Sequence, residues 1–292
     1  MVTRKRSGMD CPRYLIYLSV LAALWGNFAP ATADAGSLKP SIWTFSTPPR
    51  GPHQRQLYRP LVRYLAKVTG HPIRFVGTDS WMVYSVNQAR GRYTLIFDGP
   101  TFTGWRDQHL HYRPLVRLGG HLTFDVVTTD PTIHTMHQLD GRPVCANALP
   151  NLATMVLMRH MLGVARPYLV PRNGIGGDYR GLFGGTCVAT VLPAAFLTHH
   201  SAPAHAKIHV LYQSRAYRNL ALSVSPAVSA TMRHRIRAAL LSPRGTKVLR
   251  QVYPGQSHVR FRATSAADYI PYESALNHLA SYQYMIPAKY RS

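Results

Sequence analysis

The stretch Arg92-Tyr93-Thr94-Leu95-Ile96-Phe97-Asp98-Gly99-Pro100-Thr101-Phe102-Thr103-Gly104-Trp105 decides the fold. Tyr93 to Phe97 is an unbroken run of aromatic, β-branched and aliphatic residues, which suits a strand covered on both faces in a parallel sheet. Asp98-Gly99-Pro100 stops it, because proline fits the first position of a helix and not a central strand, and Gly99 permits a close backbone approach. A strand that ends in a glycine turn and a helix N-terminus points backbone N–H groups at open space, where they suit an anion.

Upstream, Ser41 to Phe45 reads as a first strand, left by the loop Ser46 to Pro52. Leu57, Leu61, Val62, Leu65 and Val68 recur at helical spacing, with Arg59, Arg63 and Lys67 opposite, and Gly70 ends that helix. Pro72 to Val76 is a second strand, and Thr78-Asp79-Ser80 caps a helix over Trp81 to Gln88. This β-α rhythm predicts parallel strands with helices on their faces. Downstream, Tyr112 to Leu118, Leu122 to Thr128, Gly141 to Ala146, Thr186 to Leu192, Ile208 to Tyr212 and Leu220 to Val224 read as strands. Thr132 to Leu139, Met155 to Leu162, Val228 to Leu241 and Ala266 to Tyr284 read as helices. Ala148-Leu149-Pro150-Asn151 repeats the strand-turn-helix pattern of Asp98 to Thr101. Gly174-Ile175-Gly176-Gly177-Asp178-Tyr179 is glycine-rich without the lysine and hydroxyl of a phosphate-binding P-loop.

The 292 residues are 46% hydrophobic, enough to bury real cores. Arg4, Lys5, Arg6 and Arg13 precede the apolar run Tyr14 to Trp25, and Ala31-Thr32-Ala33 offers small residues, so residues 1–33 read as a cleaved signal peptide. That makes the expected location periplasmic. The whole chain carries a formal net charge of +23; removing four basic residues and Asp10 leaves 30 Lys and Arg against 10 acidic residues. Such a surface suits anionic partners, or an acidic exterior. Export leaves Cys145 and Cys187, an isolated pair that an oxidising compartment favours as a disulfide. A metal site or catalytic thiol is the other reading, though neither cysteine has a close Cys or His at ligand spacing.

Carboxylates are too scarce for a recognisable acid/base pair, and no Gly-x-Ser-x-Gly elbow occurs, so the residues do not support an enzyme. The histidines at 109/111, 134/137 and 199/200/205/209 lie in polar, loop-like stretches and read as solvated surface, not a metal site. Arg215, Tyr217 and Arg218 lack a compact nucleic-acid recognition motif.

The order of segments resembles a known family. Leu57-Tyr58-Arg59-Pro60-Leu61-Val62-Arg63-Tyr64-Leu65, Thr78-Asp79 and Leu95-Ile96-Phe97-Asp98-Gly99-Pro100 are similar to the N-terminal half of the phosphate/phosphite/phosphonate-binding proteins of ABC uptake systems. Gln138 to Val144 and Ser223-Val224-Ser225-Pro226 resemble later segments of that family. The resemblance implies an α/β, two-lobed type II periplasmic binding protein with mixed, mostly parallel sheets and helices on both faces. Residues 34–126 and 213–292 would form lobe 1 and residues 127–212 lobe 2, with crossovers near Phe124 and Tyr212. It implies ligand contacts in the first lobe from Thr47, Arg50, Ser80, Trp81, Asp98, Gly99, Thr101 and His121. In the second lobe it implies Asn151, Thr154, Asp178 and Tyr179. The family's Ser-Thr-Ser run falls on Leu152, Ala153 and Thr154, of which Thr154 alone keeps a hydroxyl, and its histidine in the glycine-rich turn falls on Gly177. The implied protein is a monomer without cofactor that takes a small oxyanion and meets an ABC permease, with no nucleic acid involved. A ligand sensor or accessory protein of the same fold, and a cationic protein on anionic surfaces, are the alternatives.

Overall fold

The computed structural model describes residues 41–161, 163–200, 203, 207–256, 258–277 and 279. The expected signal peptide lies outside them, as do His205 and the end of the expected closing helix.

In chain order the first half runs β1 (Trp43–Ser46), α1 (Gln54–Thr69), β2 (Ile73–Phe75), α2 (Trp81–Ala89), β3 (Leu95–Asp98), α3 (Pro100–Leu110), β4 (Arg113–Leu118), β5 (His121–Leu122) and β6 (Phe124–Thr128). There follow β7 (Pro143–Asn147), α4 (Leu152–Met161), β8 (Tyr168–Arg172), α5 (Gly174–Phe183), β9 (Ala189–Pro193), α6 (Ala194–His199) and β10 (His209–Gln213). The chain closes with β11 (Tyr217–Arg218), β12 (Ala221–Val224), α7 (Ala230–Leu241), α8 (Pro243–Val252) and β13 (Phe261–Ala263).

Two mixed sheets result. One has the order β13-β4-β12-β3-β1-β2 and the other β10-β6-β9-β7-β8, with β5 and β11 forming a separate ribbon. The βαβ units place β1, β2 and β3 parallel, and likewise β7, β8 and β9, while β12 pairs antiparallel with β3 and β4, β13 with β4, and β6 with β9 and β10. Each sheet has its own core. Phe45, Leu61, Leu65, Phe97, Leu222 and Leu240 are buried in the first, and Val126, Val144, Leu157 and Val191 in the second. Local signals end the helices where expected. Gly70 takes the left-handed conformation (φ 75°) and returns its N–H to Ala66 O, and Ser80 Oγ accepts the Val83 N–H at the start of α2.

Four expectations change. The predicted strand Leu122 to Thr128 divides, β5 joining the ribbon and β6 the second sheet. The helix expected over Thr132 to Leu139 shrinks to a 3-10 turn, Met136–Leu139, because the Thr135 and Gln138 side chains close a capping box one turn later. The closing helix is replaced, within the described residues, by 3-10 segments at Ala266–Asp268 and Ile270–Ala275. Pro271 lacks the N–H that a continuous α-helix would need there. The glycine-rich stretch, read without an element of its own, is helix α5.

Cys145, in β7, and Cys187, ahead of β9, form the disulfide that export favoured, with Cα atoms 5.6 Å apart. It ties together two neighbouring parallel strands.

Candidate functional site

Parallel strands that all end at one sheet edge deliver their following helices N-terminus first to that edge, and ligands of open α/β sheets sit there. β1, β2 and β3 hand over to Thr47, to α2 and to α3; β7 and β8 hand over to α4 and α5. Met155, in the first turns of α4, packs against the aromatic cluster containing Tyr84 and Phe102, as does Trp81. Trp81 opens α2 and stacks on Phe102, in the first turn of α3, with ring centroids 6.3 Å apart and an interplanar angle of 15°. The first turns of α2, α3 and α4 thus share one aromatic cluster, through Trp81, Phe102 and Met155.

The α3 end is the open one. Gly99 is its N-cap without a side-chain capping bond, and a Cβ there would meet nothing within 4 Å. Thr101, 2% exposed, has a buried hydroxyl Oγ1 with no hydrogen-bond partner. A buried hydroxyl without a partner is costly and therefore uncommon, and at a helix N-terminus a ligand oxygen is the partner it suits.

At α4 the donors are partly committed. Asn151 Oδ1 accepts from Ala153 N (2.9 Å) and Thr154 N (3.4 Å), which caps the helix. The Thr154 hydroxyl donates to Asn147 O (2.7 Å). Asn147, the last residue of β7, is the hub of this edge. Its Oδ1 accepts the first N–H of α5, from Gly174, at 2.8 Å, and its Nδ2 donates to Asp178 Oδ2. Asp178 is 1% exposed and its Oδ1 has no partner. Burial pushes its carboxyl up to about 7, against the Asn147 amide and the charge of Arg172.

Other expected contacts point elsewhere. Asp98 is fully buried and takes Arg106 on both oxygens, Nη1 at 2.6 Å and Nη2 at 2.7 Å, with Thr103 Oγ1 (3.2 Å) and Tyr84 Oη as further donors. It orders the strand end and has no oxygen to offer a ligand. Burial pushes the Arg106 guanidinium down, but the Asp98 charge and hydrogen bonds outweigh this and leave it above its ordinary value. Arg50 sends Nη1 to Tyr58 Oη (2.9 Å) and Tyr253 Oη (3.4 Å). Thr47 is buried, with its hydroxyl 3.3 Å from Pro48 O. His121 is exposed on the ribbon opposite Arg218, and Tyr179 packs on Phe183 and Phe196.

Asn147, Met155, Arg172 and Arg180 were missed. Asn147 lies one residue beyond the expected strand end at Ala146, and Met155 one residue beyond Thr154. Arg172 ends β8, a strand concealed by Pro171, which an edge strand tolerates.

Fold and site together define a two-lobed periplasmic binding protein. The family described as the periplasmic substrate-binding protein of phosphonate ABC transporters matches residues 45–269, and the chain belongs to it. It is a family of binding proteins, not enzymes. The fold is shared with PhnD1 from Prochlorococcus marinus in complex with methylphosphonate, at a TM-score of 0.68 and 9% identity over 83% of this chain and 99% of that one. A binding component of a phosphonate transporter from Pseudomonas aeruginosa gives 0.63 and 9% over 86% and 90%. XAC2383 from Xanthomonas citri bound to ATP gives 0.62 and 12% over 84% and 98%. No curated protein matches the sequence.

Proposed function

We propose that this is an exported, periplasmic solute-binding protein that holds a small oxyanion (phosphate, phosphite or a phosphonate) between its lobes and delivers it to a membrane permease. The lobes are close to residues 34–126 with 213–292, and residues 127–212, with β6 from Phe124 and β10 to Gln213 going with the second sheet, and the protein acts as a monomer. The observation that carries the reading is the partnerless, buried Thr101 hydroxyl at the open N-terminus of α3, a helix whose first turn shares an aromatic cluster with the first turns of α2 and α4. Asn151 supplies its Nδ2 from α4, since its Oδ1 caps the helix. Related folds bound to methylphosphonate and to ATP support a phosphorus oxyanion as the ligand.

A second reading, a ligand sensor that has lost transport, is favoured by Leu152 and Ala153 in place of hydroxyl donors and by the commitment of Thr154 to Asn147 O. A permease and ATPase encoded alongside favour transport. The test of binding itself is a thermal-shift series with methylphosphonate, phosphate, phosphite and sulfate, because a ligand at 100 times its dissociation constant adds about 2.7 kcal/mol. An unmoved melting point with every oxyanion refutes the reading.

A further inference from the structure

A cavity of about 310 Å³ opens beside the second-lobe edge, lined by Pro171, Arg172, Asn173, Gly177 and Arg180. Its two arginines lie on the glycine face of α5. A Cβ on Gly177 would sit 3.5 Å from Arg172 Cβ, one on Gly181 3.0 Å from Arg172 Nε, and one on Gly176 3.4 Å from Arg180 Nη1. Only the Gly181 contact is tight, so that glycine leaves room for the Arg172 guanidinium, while Gly176 and Gly177 are at ordinary contact distance from the two arginines. Among the described residues neither guanidinium has an ion-pair partner, and Arg172 Nε is buried with no hydrogen-bond acceptor. Asp178, next to Gly177, is buried and hydrogen-bonded to Asn147; the Arg172 charge acts on it without a salt bridge between them. Asn173, the N-cap of α5, makes no side-chain capping bond either. Two guanidiniums without a salt bridge among the described residues, on one cavity, make an anion site.

Its place relative to the cleft follows from register. Arg172 pairs across β7 and β8 with Asn147, the hub beneath the α4 N-terminus, and adjacent strands lie about 4.8 Å apart. Resting on the oxyanion reading above, we propose that this cavity receives a second anionic group of the same ligand. The ligand class is then a phosphorus oxyanion that bears a carboxylate or second phosphoryl group two or three bonds away. A phosphonate with a small neutral substituent leaves the arginines without a partner.

The test is calorimetry of the whole exported chain with methylphosphonate, ethylphosphonate, phosphonoacetate and pyrophosphate, repeated on Arg180→Gln and on Arg172→Gln/Arg180→Gln. Arg180 is exposed, so the single variant isolates charge from folding. Phosphonoacetate or pyrophosphate is expected to bind at least about ten-fold tighter than methylphosphonate, with ethylphosphonate matching methylphosphonate. In both variants that ratio falls toward one. Equal binding of one-charge and two-charge ligands by the wild type overturns the subsite and leaves the cleft reading standing, and so does a ratio retained in the double variant. Failure of all four ligands overturns both.

Discussion

Arg106 and Asp98 form a fully buried, two-pronged ion pair, Nη1–Oδ2 2.6 Å and Nη2–Oδ1 2.7 Å, that locks the first turns of α3 to the end of β3. Arg106 Nη1 also reaches Gln88 Oε1 on α2, and Nη2 reaches Ser223 Oγ on β12, so one side chain fixes four elements behind the candidate site. Removing one partner strands the other charge away from water. Arg106→Leu is therefore expected to lose about 3–5 kcal/mol, read as a lower urea midpoint with an unchanged m-value. A loss under about 1 kcal/mol would show that the pair is dispensable.

The disulfide Cys145–Cys187 spans 42 residues, for which chain entropy gives at most about 4 kcal/mol. The double Cys→Ser protein is expected to melt lower in non-reducing buffer, and reductant is expected to lower the wild type toward it. Helix α5 packs directly on the bridge at Gly181. A Cβ on Gly181 would overlap Cys145 Sγ, so Gly181→Ala must push α5 off the strand and with it Arg172. Gly181→Ala is expected to destabilise by about 1–3 kcal/mol. A neutral result would show that the contact yields freely.

Much of this fold was legible because its signals are local. The apolar run before Gly99, the stop at Gly70 and the Ser80 cap each specify backbone on their own, and their order carried the family resemblance. The site was less legible because its contacts are distant in sequence. Nothing near Asp98 announces that Arg106 and Tyr84 will consume its oxygens, and nothing near Thr154 announces Asn147 O. Arg172 was hidden by Pro167 before its strand and Pro171 within it, and α5 by glycines that deny it a helical signature.

Asp178 gives the second lobe a pH dependence. Its folded carboxyl titrates near 7, above the ordinary carboxylate value of 3.8, because burial disfavours the charge. Between those values the native state holds a proton that the unfolded state has lost, so the stability it contributes is complete below about 4 and is lost as pH rises through about 7. Asp178→Asn is expected to flatten that part of the stability curve, measured by urea midpoints from pH 4 to 8. An unchanged slope would place the titration elsewhere.

The cleft is expected to prefer an oxyanion without an amine. An ammonium group needs carboxylates, but the Asp98 oxygens are taken by Arg106, Thr103 and Tyr84, and Asp178 lies beside Arg172. Calorimetry is expected to show aminoalkylphosphonates binding no tighter than their alkyl analogues. Tighter binding of the amine would refute it.

Thr101 supplies the sharpest test, since two effects of one substitution have opposite signs. Its hydroxyl is buried without a partner, and leaving such a group unsatisfied costs about 1–3 kcal/mol. Thr101→Val keeps the shape and removes the hydroxyl, so the ligand-free protein is expected to melt at the same temperature or higher. The ligand-bound protein loses a hydrogen bond to a charged oxygen, which contributes about 1.5–3 kcal/mol, so affinity for the oxyanion is expected to fall at least about ten-fold. Thermal melts with and without saturating methylphosphonate read both signs in one experiment. If Thr101→Val lowers the melting point of the free protein and leaves affinity intact, the hydroxyl has an internal partner and Thr101 holds the fold, not the ligand.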